Sequence, residues 1–441
     1  MKLQTSMTDG KILSSLLNFA IPMFISTLVQ QLFVAVDSII VGRYVGASGL
    51  AAIGVTSQII VFTVSLGVGL LMGVSVVVSE YYGKGDFEMV RKAEVVAIYI
   101  ILAAYSIKLV VALWLTEPIL ALTNTPDDVM DQAAGYLKIT FYFGIFSYGY
   151  SMCIYILRAC GDSLRPLFLL LFSAGLNVAL DLIFVKCLHL GVEGAAAASM
   201  IAEGTALFLC LGYIALKKKE LVIRREDFKE IGGITRYTLK LSLPSCAQVS
   251  AITLCTIFVQ AVINKYGTYV VAGYAAAQKI EQIMILIATS LAGAMSTFVA
   301  QNRGAGKMDR ISEGRRIVVR TTLYLSLVMS LFMVLFGKWF LGWFAEDGSK
   351  QIIQEGMAYL YITCGFYIFE GLAQVYSNIL RGMADAFAPL LIGAMQVTAN
   401  LAAIFLLEPL LGLQGIWISV VLSWLLCYLV SAVRIKRKVV L

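Results

Sequence analysis

The sequence predicts an all-α integral membrane protein with twelve transmembrane helices, arranged as two six-helix lobes. Three observations carry that expectation: an excess of apolar residues, apolar runs of span length, and a chain that repeats itself at a nearly constant offset. Of 441 residues, 60% are hydrophobic and 14% charged, where a soluble chain carries about a quarter charged. The mean hydropathy is +0.86. A helix needs roughly 20 apolar residues to cross hydrocarbon. Such runs lie near 16–41, 51–79, 93–115, 133–157, 165–186 and 191–215, then near 236–264, 270–300, 317–344, 355–380, 388–407 and 412–433. No segment between them is long enough to bury a core of its own.

The repeat explains why the spans fall into two sets of six. Pro22 corresponds to Pro244, and Gly83-Lys84-Gly85 to Gly304-Ala305-Gly306. "YLKIT" from Tyr136 returns as "YLYIT" from Tyr359, and Leu157-Arg158, Asp162, Pro166 and Asn177 return as Leu380-Arg381, Asp385, Pro389 and Asn400. Gly191 to Gly194 matches Gly412 to Gly415. All these offsets lie between 221 and 223. An even number of spans per half makes both halves enter the membrane in the same direction, so the lobes are expected to be related by an axis along the membrane normal. The expected division is an N-lobe at 1–216, a linker at 217–235 and a C-lobe at 236–441.

Charge placement orients the chain. With the N-terminus inside, 26 of the 34 Lys and Arg residues fall in cytoplasmic segments, five fall outside and three within spans. That is the positive-inside pattern, so both termini are expected in the cytoplasm of a prokaryotic cell and the chain in its plasma membrane. The net charge of +7 then serves topology and anionic membrane lipids, with no nucleic-acid partner implied. The polar first fifteen residues show no signal peptide, so the first span is expected to direct insertion. Eight scattered cysteines without a C-x-x-C pair, and the single histidine His189, give no disulfide or zinc framework. The absence of a Walker A sequence, a G-x-G-x-x-G after a strand and a G-x-S-x-G argues against ATP hydrolysis and nucleophilic catalysis, so neither an enzyme nor a bound cofactor is expected.

The early-span proline, "VAVDSIIVGR" at 34–43, the G-x-G after span two, "LRACGD" followed by Pro166, and "GVEGAAAAS" at 191–199 resemble MATE (multidrug and toxic compound extrusion) transporters. The resemblance runs from about residue 10 to 435. It implies a V-shaped fold whose cleft carries organic cations outward in exchange for Na+ or H+, by alternating access and as a monomer. Asp37 and Asn177-x-x-x-Asp181 match the DinF-like branch, whose cation site lies in the N-lobe. Glu370 falls where another branch keeps a C-lobe carboxylate, but that branch's span-seven glutamate is Ile252 here. A lipid-linked-precursor flippase of the same superfamily is the alternative; its anionic cargo favours a basic cleft, whereas the mid-span charges here lean acidic.

Asp37, Asn177, Asp181 and Ser199 lie at comparable depth below the outer face, and their hard oxygens suit Na+, or a proton shared by two carboxylates. Their repeat counterparts are Val259, Asn400, Ile404 and Val420, so three of the four are not a shared requirement of the fold. Intramembrane charge is costly enough to mark function, although polar residues near helix ends also serve as interhelical glue. Glu203, Glu281 and Glu370 are candidate contacts for an organic cation, with pairing to Lys279, Lys138 or Lys108 as the plainer reading. Gln30 and Tyr136 match cavity-lining positions of relatives.

Overall fold

The structure, a computed structural model, describes residues 7–123, 125–344 and 349–439. Among these residues every regular element is helical, as hydrocarbon requires of a chain that must satisfy its own backbone. The first half contains α1 (Ile12–Tyr44), α2 (Ala47–Lys84), α3 (Phe87–Val110), α4 (Thr116–Leu122), α5 (Asp127–Tyr142), α6 (Gly144–Ala159), α7 (Leu164–Asp181) and α8 (Gly191–Lys217). The second contains α9 (Gly232–Ile263), α10 (Thr268–Gly304), α11 (Met308–Phe344), α12 (Lys350–Thr363), α13 (Tyr367–Gly382), α14 (Phe387–Leu411) and α15 (Leu413–Val439).

Ten of the described helical runs are long and apolar enough to cross a bilayer, and α5 with α6, bent by 50° at Phe143, makes an eleventh. The span expected near 355–380 is split into α12 and α13 by a 3-10 turn at Cys364–Phe366. It carries Glu355, Glu370 and Arg381, of which Glu370 and Arg381 are buried against protein, so composition alone undercounts it. The two breaks, at Phe143 and Phe366, stand 223 residues apart. The break was therefore duplicated with the repeat.

The chain forms two compact units, one of residues 25–246 and one of residues 7–24 with those from Ala247 onward. Both boundaries fall inside helices, two residues after Pro22 in α1 and two after Pro244 in α9. In the first unit α9 packs on α2 through small residues. A Cβ on Gly69 or Gly73 would lie 2.4 Å from the Cα of Cys246 or Ser242, respectively, so the Gly-x-x-x-Gly spacing is what lets the two backbones touch. The second unit is built around Phe19, Met295, Phe298, Val375 and Leu380.

Each boundary helix is preceded by a polar segment strapped to the unit that holds the first part of that helix. In the first unit Arg91 Nε donates to Asp227 Oδ2 at 2.9 Å and its Nη1 to the Glu220 carbonyl at 3.4 Å, while Leu221 is buried. In the second, Asn302 Nδ2 donates to the carbonyl of buried Met7 at 2.9 Å, and Lys307 Nζ to Asp9 Oδ1 at 2.9 Å. Burial pushes the Asp227 carboxyl up, but the bonds from Arg91 and from the Arg224 backbone outweigh it and hold the group below the ordinary carboxylate range. A depressed carboxylate contributes stability above its unfolded value near pH 4, lost as pH falls through the lower folded value. Asp227→Asn should therefore destabilise the chain by about 1–2 kcal/mol near neutrality, because Arg91 loses its charged partner and keeps only neutral acceptors such as the Glu220 carbonyl. It should also remove part of the acid-side slope of a melting curve taken in detergent. An unchanged melt at both ends of the pH range would refute the strap.

Candidate functional site

The carboxyls of Asp37 on α1 and Asp181 on α7 face each other within hydrogen-bonding reach. Asn177, one turn before Asp181, donates its side-chain amide to Ser199 Oγ on α8 at 3.1 Å. Asp37, Asn177 and Asp181 are all buried. Yet Asp37 Oδ1, both Asp181 carboxylate oxygens and Asn177 Oδ1 accept no hydrogen bond from any described residue. Four buried oxygens without donors, two of them on one carboxylate, are an incomplete set. Buried polar atoms are nearly always partnered, and oxygens of this kind are the donors that a small hard cation or a proton takes. Carboxylate, amide and hydroxyl oxygens are hard donors, suited to a hard ion rather than to a soft, thiolate-seeking one.

Local backbone explains how Asp181 reaches the site. It is the last residue of α7 and is followed directly by a π-helical segment, Leu182–Cys187, with Leu188 N–H bonded to the Ile183 carbonyl at 2.9 Å. Such widened turns are inserted residues and gather at functional sites. The repeat carries the trace: Asn177 to Gly191 spans fourteen residues, and Asn400 to Gly412 spans twelve. The sequence reading missed this segment, although the offset falling from 223 to 221 between those two anchors signals it.

Tyr136, buried on α5, lies near Asp37, Asp181 and Glu203. Glu203 on α8 meets Ser147 on α6 and faces the Lys108 ammonium on α3. Lys108 is buried with its Nζ 4.9 Å from the Phe141 ring centre and 5.1 Å from that of Tyr148, a cation–π seat. Gly144 makes room for it, since a Cβ there would lie 3.0 Å from Nζ. Of the pairings open in the sequence, Lys108 is therefore the one set toward Glu203, and Lys138 pairs instead with Glu117 at 2.9 Å. Gln30 sits on the exposed face of α1, two turns before Asp37.

The second unit holds a counterpart of this site without its aspartates. A cavity of about 160 Å³ is lined by Ile252, Val259, Glu281, Tyr359, Asn400 and Val420. Val259 and Val420 stand where Asp37 and Ser199 stand, and Asn400 Oδ1 accepts no bond from a described residue. Glu281 enters from α10 and is already engaged: it accepts from the Tyr359 hydroxyl, with Thr363 and Tyr367 also in reach. Glu370, on α13, accepts a bond at 2.9 Å from Gln374 of its own helix.

A duplicated, polytopic helical chain with one buried, donor-poor carboxylate pair defines an ion-handling membrane protein. The MatE family model matches residues 22–183 and 244–406, one stretch in each half. The chain belongs to the MatE family. It is 31% identical to "Probable multidrug resistance protein YpnP" of Bacillus subtilis over 69% of this chain and 68% of that protein. It is 22% identical to "Multidrug export protein MepA" of Staphylococcus haemolyticus over 95% and 92%. Solved structures share the fold. An outward-facing multidrug resistance MATE family transporter of the MOP superfamily superposes with a TM-score of 0.87 at 20% identity, covering all of this chain and 98% of that one. The Vibrio cholerae MATE transporter VcmN in the bent form gives 0.87 at 21%, covering 97% and 96%.

The lysine seat generates a prediction. Gly144→Leu, whose side chain is too large for the lysine to yield to by a small shift, should cost about 2 kcal/mol through overpacking against Lys108, read as a lower melting temperature in detergent. Shortening the lysine in the same background, Lys108→Ala, should recover much of that loss. A Gly144→Leu protein that melts as the wild type would show that the lysine does not fill this space.

Proposed function

We propose that this protein is a secondary antiporter that exports organic cations and drugs in exchange for Na+ or H+, by alternating access. The observation that carries this reading is the buried Asp37–Asp181 pair, three of whose four oxygens have no donor among the described residues. Asp37, Asn177, Asp181 and Ser199 are its coupling site. Two adjacent carboxylates in low dielectric cannot both stay ionised without a positive partner, so a cation or proton bound there is retained on one side and released where the site opens to water. The names of the relatives, multidrug resistance and multidrug export proteins, support drugs as cargo.

Gln30, Tyr136, Glu203, Glu281 and Glu370 are the proposed contacts for the exported compound. Glu370 is the strongest of these, because its one protein bond comes from a neutral amide on its own helix. Its charge is thus the least compensated, and a lipophilic cation would meet it. The protein acts as a monomer, without a cofactor, in the plasma membrane of a prokaryotic cell, with both termini in the cytoplasm. The charge asymmetry supports that orientation.

The test is substrate efflux from proteoliposomes under a sodium gradient and under a proton gradient, imposed separately. Asp37→Asn and Asp181→Asn should each reduce coupled efflux by more than about tenfold, since each removes a charge the ion needs, while both variants still insert and fold. Glu370→Gln should slow export of cationic compounds far more than neutral ones. Wild-type efflux in both aspartate variants would sink the coupling site; equal losses for cationic and neutral compounds would remove Glu370 from the substrate site.

A further inference from the structure

The second unit has a built indentation that the transport reading does not use. At the end of α15 a cavity of about 300 Å³ is lined by Leu391, Leu429, Val430, Val433, Arg434 and Arg437. Four apolar side chains from α14 and α15 make its wall, and two guanidiniums one turn apart make its rim. Arg434 is fixed in place: Nε and Nη2 donate to the two Asp385 oxygens at 2.8 and 2.7 Å, and the guanidinium lies 5.3 Å from the Phe387 ring centre. Arg437 is exposed, and no ion pair among the described residues engages it.

The repeat separates what the fold needs from what this cavity adds. In the first unit Asp162 pairs with Arg165 at 2.7 Å, and Arg165 lies 5.2 Å from the Tyr213 ring. The same trio of acid, guanidinium and ring thus recurs with its members moved between helices, because Tyr213 stands where Arg434 stands. That trio is a requirement of the fold. The counterpart of Arg437, however, is Leu216, apolar and 75% exposed. The charge at Arg437 belongs to the second unit alone.

We propose that this cavity binds one anionic phospholipid of the adjoining leaflet, its phosphate on Arg437 beside the fixed Arg434 and an acyl chain along Leu391, Leu429 and Val433. A guanidinium fork matches a phosphate with two parallel bonds. The apolar wall matches the chain, and a basic pocket between spanning helices is where such headgroups are held. Charge decides against a zwitterionic lipid, whose own cation would face Arg437. The proposal rests on the cytoplasmic placement of the C-terminus only for the choice of leaflet.

The experiment is native mass spectrometry of the full-length chain in detergent, titrated with dioctanoyl phosphatidylglycerol, dioctanoyl phosphatidylcholine or glycerol phosphate. The first should bind about fivefold more tightly than the second, the value of one interfacial basic residue, and glycerol phosphate should not bind at the same concentrations. Arg437→Gln should erase the preference without changing the lipid-free melting temperature. Val433→Trp, which fills the wall, should weaken both lipids. An unchanged preference in Arg437→Gln, or equal binding of both lipids, overturns the proposal; glycerol phosphate binding as well as the lipid overturns the acyl wall. Labelling of Glu226→Cys from outside intact cells would overturn the orientation while leaving these affinities intact, so the two failures are distinguishable.

Discussion

Two carboxylates held side by side in a protein interior, with no donor on three of their four oxygens, set the terms for the rest of this molecule. An ionised carboxylate within a membrane costs about 2.5–3.5 kcal/mol on insertion scales. Two of them about 4 Å apart repel by a further ~4 kcal/mol at an effective dielectric near 20. A folded domain of marginal stability does not hold such a pair bare. On the proposed function, Asp37 and Asp181 are held with a positive partner that is exchanged rather than built into the protein. The surrounding structure serves this constraint. Ile40, Val41, Tyr136 and Val185 belong to one buried apolar cluster of this unit, with Tyr136 near both acids, the π turn follows Asp181 directly at the end of α7, and the Asn177 amide is bonded to Ser199.

The duplication shows what is specific to that site. Both units keep the broken span and the Asp–Arg–ring clamp at a helix end, so these belong to the fold. Only the first unit keeps the acids. In the second, valines occupy two of the corresponding positions, the connecting helix runs two residues shorter, and Asn400 remains beside a cavity whose acid, Glu281, comes from elsewhere. Glu281 and its tyrosines approach that cavity from a different helix, which makes the second site a different device rather than a copy. Lys108 and Tyr367 show the same divergence. Gly144 yields space to a lysine in the first unit, and Tyr367 stands at the corresponding position, 223 residues on, in the second.

Most of the helical layout was legible because hydrocarbon leaves a chain so few options. Apolar runs and a fixed offset gave the number and pairing of spans, and the helices fall where the runs predict. The broken span at α12–α13 shows the limit of that logic, since a helix with buried acids reads as weakly apolar although protein surrounds its polar face. The site was legible in its residue types. Asp37 and Asp181 stand out as acids in apolar runs, and the structure brings each to the other. What the sequence could not state was geometry that depends on three or more helices at once: the ring seat of Lys108, the engagement of Glu281 by residues of α12 and α13, and the straps from Arg91 and Asn302. The π segment lies between these cases, because its two extra residues were present in the shifting offset.

The central claim is that the Asp37–Asp181 pair takes up one exchangeable positive charge. Infrared difference spectroscopy of the protonated-carboxyl stretch, recorded while pH is stepped and Na+ is added, reads that charge directly. The account predicts a carboxyl band in the wild type that grows as pH falls, is diminished by Na+ if sodium competes for the site, and disappears in both Asp37→Asn and Asp181→Asn. A wild-type spectrum without such a band at any pH and unmoved by Na+, or one that persists unchanged in both variants, would contradict it.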